Sequence, residues 1–509
     1  MQAERESPSA RGEATELTSG QMSGKAALQS IASPTKKVHV VGVAGTGLRG
    51  LVHLLHARGV EITGSELLES PVLQNLRGRG IPCHVGHKSV NVDRETSLVL
   101  VSAAVKASNP EVKAAHARRI PVLKYAEFLG RLMAEKVGIA VAGTHGKTTT
   151  TAMSSLVLRE AGLNPSFLIG GEHPALGGSS SWDNGDHFVA EACEFDRSFL
   201  NLRPRIGVIT NIEEDHLDYF KSLKEIQGAF ADFVSLIPEK GYLVVNRDDP
   251  NSAYLSEFCR SPVGTFSLRP GAAEWWAEGV TPESGGSRFQ IVGQSGERAE
   301  VRLRVPGRHN VLNALATAAV SRYVGVPLAR IARILGTFGG VRRRFDVLSE
   351  HPVMVIDDYA HHPTEIQAVL RAARESLDLF ENRRRRVIAV FQPHQHSRLK
   401  VFGKRFAEVL SGFDAALVTD VYRARDNDED VKSVRSDSLV HLMKQLNPGM
   451  EALHTPQFAD VLRTLGSQVR PGDAVIFLGA GDITNLAARY AQSLVETRAL
   501  GETRGARAG

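Results

Sequence analysis

One stretch constrains this chain more than any other: residues 138–162, GIAVAGTHGKTTTTAMSSLVLREAG. An apolar β-branched run, a glycine turn and a long helical pattern read as strand, loop and helix. The loop between them, Gly143-Thr144-His145-Gly146-Lys147-Thr148-Thr149, has the makings of a polyphosphate cradle. Its glycines let backbone N–H groups approach a ligand, and the helix amino terminus adds positive potential. Lys147 reaches for the outer phosphates, and the Thr148 hydroxyl is a ligand for Mg²⁺. Val141 stands where the strict GxxxxGK[ST] pattern has its first glycine. A plain strand-to-helix connection is the bland alternative, but the Gly-Lys-Thr triplet in this setting favours a nucleotide triphosphate site.

A strand–glycine–helix opening also occurs upstream, in VHVVGVAGTGLRGLVHLLHARG at 38–59. Gly45, Gly47 and Gly50 satisfy GxGxxG, and Glu66 lies 21 residues beyond Gly45. Such a loop holds the diphosphate of NAD or of a UDP-sugar equally well, and a structural turn remains the third reading. With strand-like runs at 60–63 and 98–103, this part reads as a Rossmann-like doubly wound sheet. Beyond the phosphate loop, runs at 188–191, 206–210 and 242–246 continue a central α/β unit. The glycine-rich, alternating stretch 270–304 reads as an antiparallel β insertion. Four apolar runs, 353–357, 386–391, 415–419 and 474–478, separated by helical patterns, make a third, Rossmann-like α/β sheet. The expected division is a disordered tail at 1–36, domains at 37–135, 136–344 and 345–497, and a second disordered tail at 498–509.

Residues just beyond the carboxyl ends of strands face the ligand crevice of an open α/β sheet. Glu191 and His216 occupy such positions and, with Thr148, are the candidate metal ligands beside the triphosphate. Asn310 and Asn313 open a helix and offer amides to an adenine. Arg344, in the run 342–344, sits at a domain junction within reach of phosphates, and Asp358 follows a strand where it can orient a ribose. His394, His396 and Arg398 combine plausible carboxylate binding with an ordinary loop reading.

Composition excludes several classes. The chain has 509 residues, too many for one core, and 42% hydrophobic with 23% charged residues is ordinary for a globular protein. No apolar run of 18 residues exists, so no membrane partner is expected. The polar amino terminus lacks an apolar signal core, and Cys83, Cys193 and Cys259 lack metal or disulfide spacing, which suits a cytoplasmic location. A net charge of +5 and the arginine run 383–386 hint at nucleic acid. The run directly precedes an apolar strand, so a solvated strand entry is favoured and no nucleic-acid partner is expected.

Taken in order, the segments GVAGTGLRG, GTHGKTTTT, EACEFDRSFLNLRP, TNIEEDHLDYF, GRHNVLNALA, GVRRRFDVL, DDYAHHPTEI, FQPHQHSR, TDVY and LGAGDI resemble the Mur ligase family from about residue 38 to 490. The chain departs from that pattern at Ala44, at Glu66 and at 422–426. The resemblance implies ATP and Mg²⁺, with the first domain binding a UDP-sugar, the second ATP, and the third closing over both. It implies phosphorylation of the lactyl carboxylate of UDP-N-acetylmuramate and attack on the acyl phosphate by L-alanine, in a monomer or weak homodimer. Carried over by position, Lys147, Glu191, His216 and Arg344 are catalytic, with Thr148, Glu191 and His216 on the metal. Gly143 to Thr149, Asn310, Asn313 and Asp358 bind ATP; Gly45, Gly47, Ser65 and Glu66 bind the UDP-sugar; His361, His394 and Arg398 bind the amino acid. Two alternatives stay open: a ligase of the same family that attaches a preformed peptide, and a non-catalytic, nucleotide-binding sensor of cell-wall precursors.

Overall fold

The computed structural model describes residues 37–377, 385–424, 426 and 428–505; the reading of 1–36 as a tail lies outside them. Three sheets follow one another along the chain. The first has five parallel strands in the order Cys83–Val85, Glu61–Glu66, Lys37–Val41, Thr96–Val101 and Val122–Lys124. This is the doubly wound order with the first strand central, as the glycine loop after it requires. Two of its crossover helices begin with a polar cap followed by proline: Ser70 accepts from the Leu73 N–H and Asn109 from the Glu111 N–H. The cap satisfies an orphan donor and the proline pre-sets φ, so both helices start where the sequence says.

The second sheet has ten strands. Its parallel heart runs Tyr242–Asn246, Ile206–Ile209, Val137–Ala142, His187–Glu191 and Ser166–His173, so the phosphate-loop strand is again buried in the middle. The expected β insertion is three antiparallel-paired strands, Trp275–Glu283, Gly286–Gly293 and Arg298–Leu303. It is no separate lobe. Phe266 and Ser267 pair with Trp275 and Trp276, and the insertion extends the central sheet at one edge.

The third sheet contains six strands rather than four apolar ones: the four expected runs plus Asp346–Ser349 and Glu451–His454 at the two edges. Edge strands bury one face poorly, so their sequences lack the continuous apolar run that marks a central strand. The closing helix runs Ile483–Gly505, past residue 497 where a disordered tail was expected. Nothing in TRALGETRG stops a helix, since proline is absent and alanine, leucine, glutamate and arginine favour it. Residues 506–509 lie outside the description. Arg385 is buried and Arg386 bridges Glu451 (2.6 Å) and Asp473 (3.7 Å), so the described end of the arginine run is a paired strand entry rather than a solvated one. No described helix is long and apolar enough to cross a membrane.

How the sheets are joined matters for function. One apolar cluster contains both Leu51, Leu129 and Met133 of the first unit and Phe188, Phe199 and Ala190 of the second. These two units share a core. The third sheet has its own clusters on its two faces, and among residues of the central unit Leu217 is packed against one of them. Polar pairs, detailed below, make further contacts with the centre. Polar inter-domain contact is what a moving domain requires.

Candidate active site between the central and C-terminal sheets

The phosphate loop owes its shape to two glycines. Gly143 has φ +133° and Gly146, the residue before the Lys147–Glu160 helix, has φ +82°. A Cβ on Gly143 would lie 2.0 Å from Thr210 Oγ1, and one on Gly146 would lie 2.6 Å from Asn313 Oδ1. The loop is braced from below: Asn211 Oδ1 accepts from the His145 N–H (2.9 Å), and Thr210 Oγ1 donates to the His145 carbonyl (2.6 Å). Gly143→Ala is therefore expected to lose nucleotide affinity and to unfold at lower temperature, by at least the roughly 1–3 kcal/mol of a strained backbone. Thermal unfolding with and without ATP checks this; an unchanged ATP-dependent shift refutes it.

Lys147 folds back over this loop. Its ammonium donates to the carbonyls of Gly143 and Thr144 and pairs with Glu194 at 3.0 Å. Burial pulls its pKa down, but the Glu194 carboxylate outweighs burial and the net shift is upward, so Lys147 stays a cation. Glu194 is 3% exposed and also lies 3.8 Å from His216 Nε2. Sequence reading missed Glu194; its one signal was its place three residues after Glu191 at the end of a buried strand.

Beside the loop lies a cavity of about 230 Å³. The central unit contributes Thr149, Phe266, Asn310, Leu312 and Asn313 to its wall, the domain junction contributes Arg344, and the C-terminal unit contributes Asp358, Glu365 and Val369. Phe266, Leu312, Phe338 and Val369 make an apolar slot with a polar rim, the character of a small-molecule site. Asn310 and Asn313 line it as expected, but their amides are partly engaged. Asn310 donates to the Pro306 carbonyl (2.8 Å), and Asn313 donates to Asn310 (3.2 Å) and accepts from Thr150 (3.1 Å). They brace the phosphate-loop helix as well as facing the cavity. Phe266 ends an ordinary strand, and no sequence signal distinguished it.

Arg344 reaches across to Thr148 Oγ1 at 3.5 Å and lies 3.9 Å from Glu365. Asp358 accepts from the Phe345 and Ala360 N–H groups, both at 2.7 Å, and burial lifts its pKa to about 6. Glu191 accepts from the Gly170 N–H, and His216 sits at φ +52° between Glu194 and Asp215. The candidate ligands that the described residues bring within 4.8 Å of one another are a different trio: His145, Glu213 and His362.

The three residues expected to face an amino acid do cluster. The rings of His361 and His394 are 5.8 Å apart, and Arg398 Nη1 lies 3.4 Å from His394 Nδ1. Arg398 also forms a buried ion pair with Asp215 of the central unit at 2.6 Å. Burial pushes the His361 imidazole down to about 3, so its ring is neutral at pH 7. His396 instead pairs with Asp426 at 3.1 Å, which is the ordinary loop role.

On the first sheet, Gly45 and Gly47 are exposed at the head of the Thr46–Ala57 helix. Glu66 closes that loop by accepting from the Ala44 N–H (3.2 Å) and the Leu67 N–H (2.9 Å). Ser65 is wholly buried, and its hydroxyl donates to the buried Glu111 carboxylate at 2.6 Å. It supports the loop from inside rather than presenting its hydroxyl outward.

The contact between the central and third sheets carries a titration. His145 Nδ1 lies 3.2 Å from Glu365, across the interface, and its Nε2 lies 3.7 Å from Glu213. Burial lowers the imidazole pKa, yet the two carboxylates outweigh it and lift it from 6.5 to about 9. A raised folded pKa means stability that is complete below about pH 6.5 and lost as pH rises through about 9. The gap in melting temperature between the native chain and His145→Gln is expected to be widest near pH 6 and to close by about pH 10. Calorimetry across that range checks it.

Comparison with known proteins agrees with this geometry. Residues 37–137 match the model described as Mur ligase family, catalytic domain; 141–321 match the Mur ligase middle domain; 343–481 match the Mur ligase, glutamate ligase domain. The UDP-N-acetylmuramate–L-alanine ligase of Rubrobacter xylanophilus is 43% identical over 452 residues, covering 88% of this chain and 98% of that protein. That of Salinibacter ruber is 40% identical over 462 residues, covering 90% and 95%. The crystal structure of the UDP-N-acetylmuramate–alanine ligase of Thermotoga maritima superposes with a TM-score of 0.77 at 29% identity, covering 91% of this chain and 99% of that one. Three matched domains in one order, a phosphate loop facing the third sheet, and relatives that align nearly end to end leave one conclusion: this chain belongs to the Mur ligase family.

Proposed function

We propose that this enzyme joins L-alanine to the lactyl carboxylate of UDP-N-acetylmuramate, consuming ATP, in peptidoglycan precursor synthesis. The observation that carries the reading is the opposition of two sites across one cleft. Lys147 and the phosphate loop lie on the central sheet, and His361, His394 and Arg398 lie on the third, tied to the centre through Asp215. An amide ligase needs a phosphoryl donor and an amine on facing walls, with the acid between them.

In this reading the first sheet (37–135) holds the UDP-sugar, the central unit (136–344) holds ATP, and the third (345–497) closes over them. The sugar carboxylate attacks the γ-phosphorus, forming an acyl phosphate and releasing ADP. The neutral amine of L-alanine then attacks the acyl carbon, and the C–O bond to phosphate breaks as the amide forms. Lys147 from the phosphate loop and Arg344 from the domain junction converge and stabilise charge on the transferring group. Thr148 and Glu191 offer hard oxygen donors near Lys147, a set that fits Mg²⁺, which keeps most of its shell as water and phosphate oxygen. When bound, that ion offsets phosphate charge. Arg398 presents a guanidinium for the amino-acid carboxylate, and neutral His361 does not repel the incoming amine.

The test supplies purified protein with ATP, UDP-N-acetylmuramate, and either a panel of single amino acids or a tripeptide. ADP release with L-alanine is expected. Release with the tripeptide alone overturns the reading in favour of peptide attachment, and no release with any acceptor overturns catalysis.

A further inference from the structure

The loops that meet at the edge of the nucleotide cavity assemble a second set of donors. His145 comes from the phosphate loop, Glu213 follows the Ile206–Ile209 strand, and His362 follows the Met354–Asp358 strand of the third sheet. Each offers one ligand atom, and the three atoms lie within 4.8 Å of one another. Glu213 Oε2 is 3.7 Å from His145 Nε2 and 3.9 Å from His362 Nδ1. Those separations are too long for hydrogen bonds. His145 Nε2, the atom facing Glu213, is buried without any hydrogen-bond partner, and the His362 side chain is wholly inaccessible. Unpartnered polar atoms in a site built of polar loops carry a cost that a ligand removes.

The surroundings are those of a metal site. His145 Nδ1 faces Glu365 Oε1 at 3.2 Å; donation to that carboxylate leaves Nε2 toward Glu213, and a bound cation displaces the proton that Nε2 carries at neutral pH. Thr364 Oγ1 donates to Glu213 Oε2 at 2.6 Å and orients the carboxylate. The Thr364 N–H makes a long 3.3 Å contact to His362 Nδ1, and Phe402 fixes the plane of that ring. Carboxylate-to-histidine and hydroxyl-to-carboxylate bonds of this kind orient first-shell ligands.

We propose that His145, Glu213 and His362 form a binding site for a borderline-soft divalent cation of the zinc class, linking the central and third sheets at the cavity edge. Two imidazoles and one carboxylate suit zinc and not magnesium, which prefers oxygen donors. Tetrahedral bonds of about 2.0–2.1 Å set donors roughly 3.4 Å apart, so the trio must draw in by about an ångström, within the reach of side-chain rotation. The fourth position opens toward the cavity, whose wall includes His145 and Glu213. The site is distinct from the magnesium set at Thr148 and Glu191, and it does not depend on the identity of the acceptor substrate.

The experiment uses the full chain, stripped with chelator and held in saturating Mg²⁺. Zinc is titrated in competition with a chromogenic chelator, and cobalt is added separately as a spectroscopic probe. One tight zinc per chain is expected, with visible cobalt d–d bands, no thiolate charge-transfer band, and a zinc-dependent rise in melting temperature. Glu213→Gln and His362→Gln are expected to weaken zinc binding at least about tenfold, and Thr364→Val by about 10–100-fold. Thr364→Val keeps all three ligands, so it remains informative if a ligand variant fails to fold. Folded variants that bind zinc as the native chain does, or a thiolate band from the exposed Cys193, overturn the proposal. Loss of ligase activity with the zinc site intact counts against the proposed reaction and leaves this inference standing.

Discussion

Lys147→Ala is expected to lower kcat by at least about 10²–10³-fold while leaving the affinity for the UDP-sugar within about twofold. The first magnitude is that of removing one preorganised group from a developing oxyanion; phosphoryl-transfer arginines reach about 10³–10⁵. The second follows from placement, because Lys147 lies on the central sheet and the proposed sugar loop, Gly45 to Glu66, on the first. A complication is built in. Removing Lys147 leaves Glu194 buried without its partner, and an uncompensated buried charge costs about 3–5 kcal/mol. The double variant Lys147→Ala with Glu194→Gln is therefore expected to recover melting temperature but not turnover. Calorimetric titration with the UDP-sugar, alongside ADP release, separates the two effects. Loss of sugar binding in a folded variant would sink the division of labour between the sheets.

Arg398→Ala is the second large effect. The guanidinium is 5% exposed and the Asp215 side chain 9%, so the ion pair joining the two units is screened little by solvent. His216 and Arg398 outweigh burial and hold the Asp215 carboxyl well below its usual range, and it is charged throughout the working pH. Losing Arg398 strands that charge, again by about 3–5 kcal/mol. If Arg398 also grips the amino-acid carboxylate, the loss of a charge-assisted bond worth about 1.5–3 kcal/mol raises KM for L-alanine by roughly 10–150-fold. KM for ATP is expected to move far less. Adding Asp215→Asn to Arg398→Ala removes the stranded charge and is expected to restore stability while KM for alanine stays high. Equal rises in both KM values would reassign Arg398 to domain closure alone.

The polar character of the hinge explains why these two variants behave differently. Lys147 and Glu194 both belong to the central unit, so their pair is kept whether the cleft is open or closed. Arg398–Asp215, His145–Glu365 and Thr364–Glu213 all cross between units. Each ties the third sheet to the centre through polar atoms alone, and a substrate carboxylate or phosphate can take the place of a protein partner. The first and central units share an apolar core and have no such freedom.

Particular residues mark how far sequence reading reached. Gly143, Gly146 and Lys147 were legible because a phosphate loop is local: its donors, its left-handed turns and its helix lie within a few consecutive residues. Strands 242–246 and 474–478 were read to the residue because both are buried on two faces, which demands a continuous apolar run. The edge strand Glu451–His454 was missed for the converse reason. Ser65 was read as part of the sugar region, and its burial in the Glu61–Glu66 strand depends on Glu111, 46 residues on. Glu194, Phe266, Glu213 and His362 were given no individual role, because each owes its place to neighbours distant in the chain.

Local sequence by itself determined the three α/β units, most of their central strands and the phosphate loop, because hydrophobic period, capping and glycine backbone freedom act over a few residues at a time. Only the tertiary structure decided which charges face one another across the cleft, which polar atoms are left buried without partners, and which two of the three units share a core. Those depend on through-space distances between segments as much as 220 residues apart, as between His145 and Glu365, and electrostatic and apolar contacts respond to distance in space rather than along the chain.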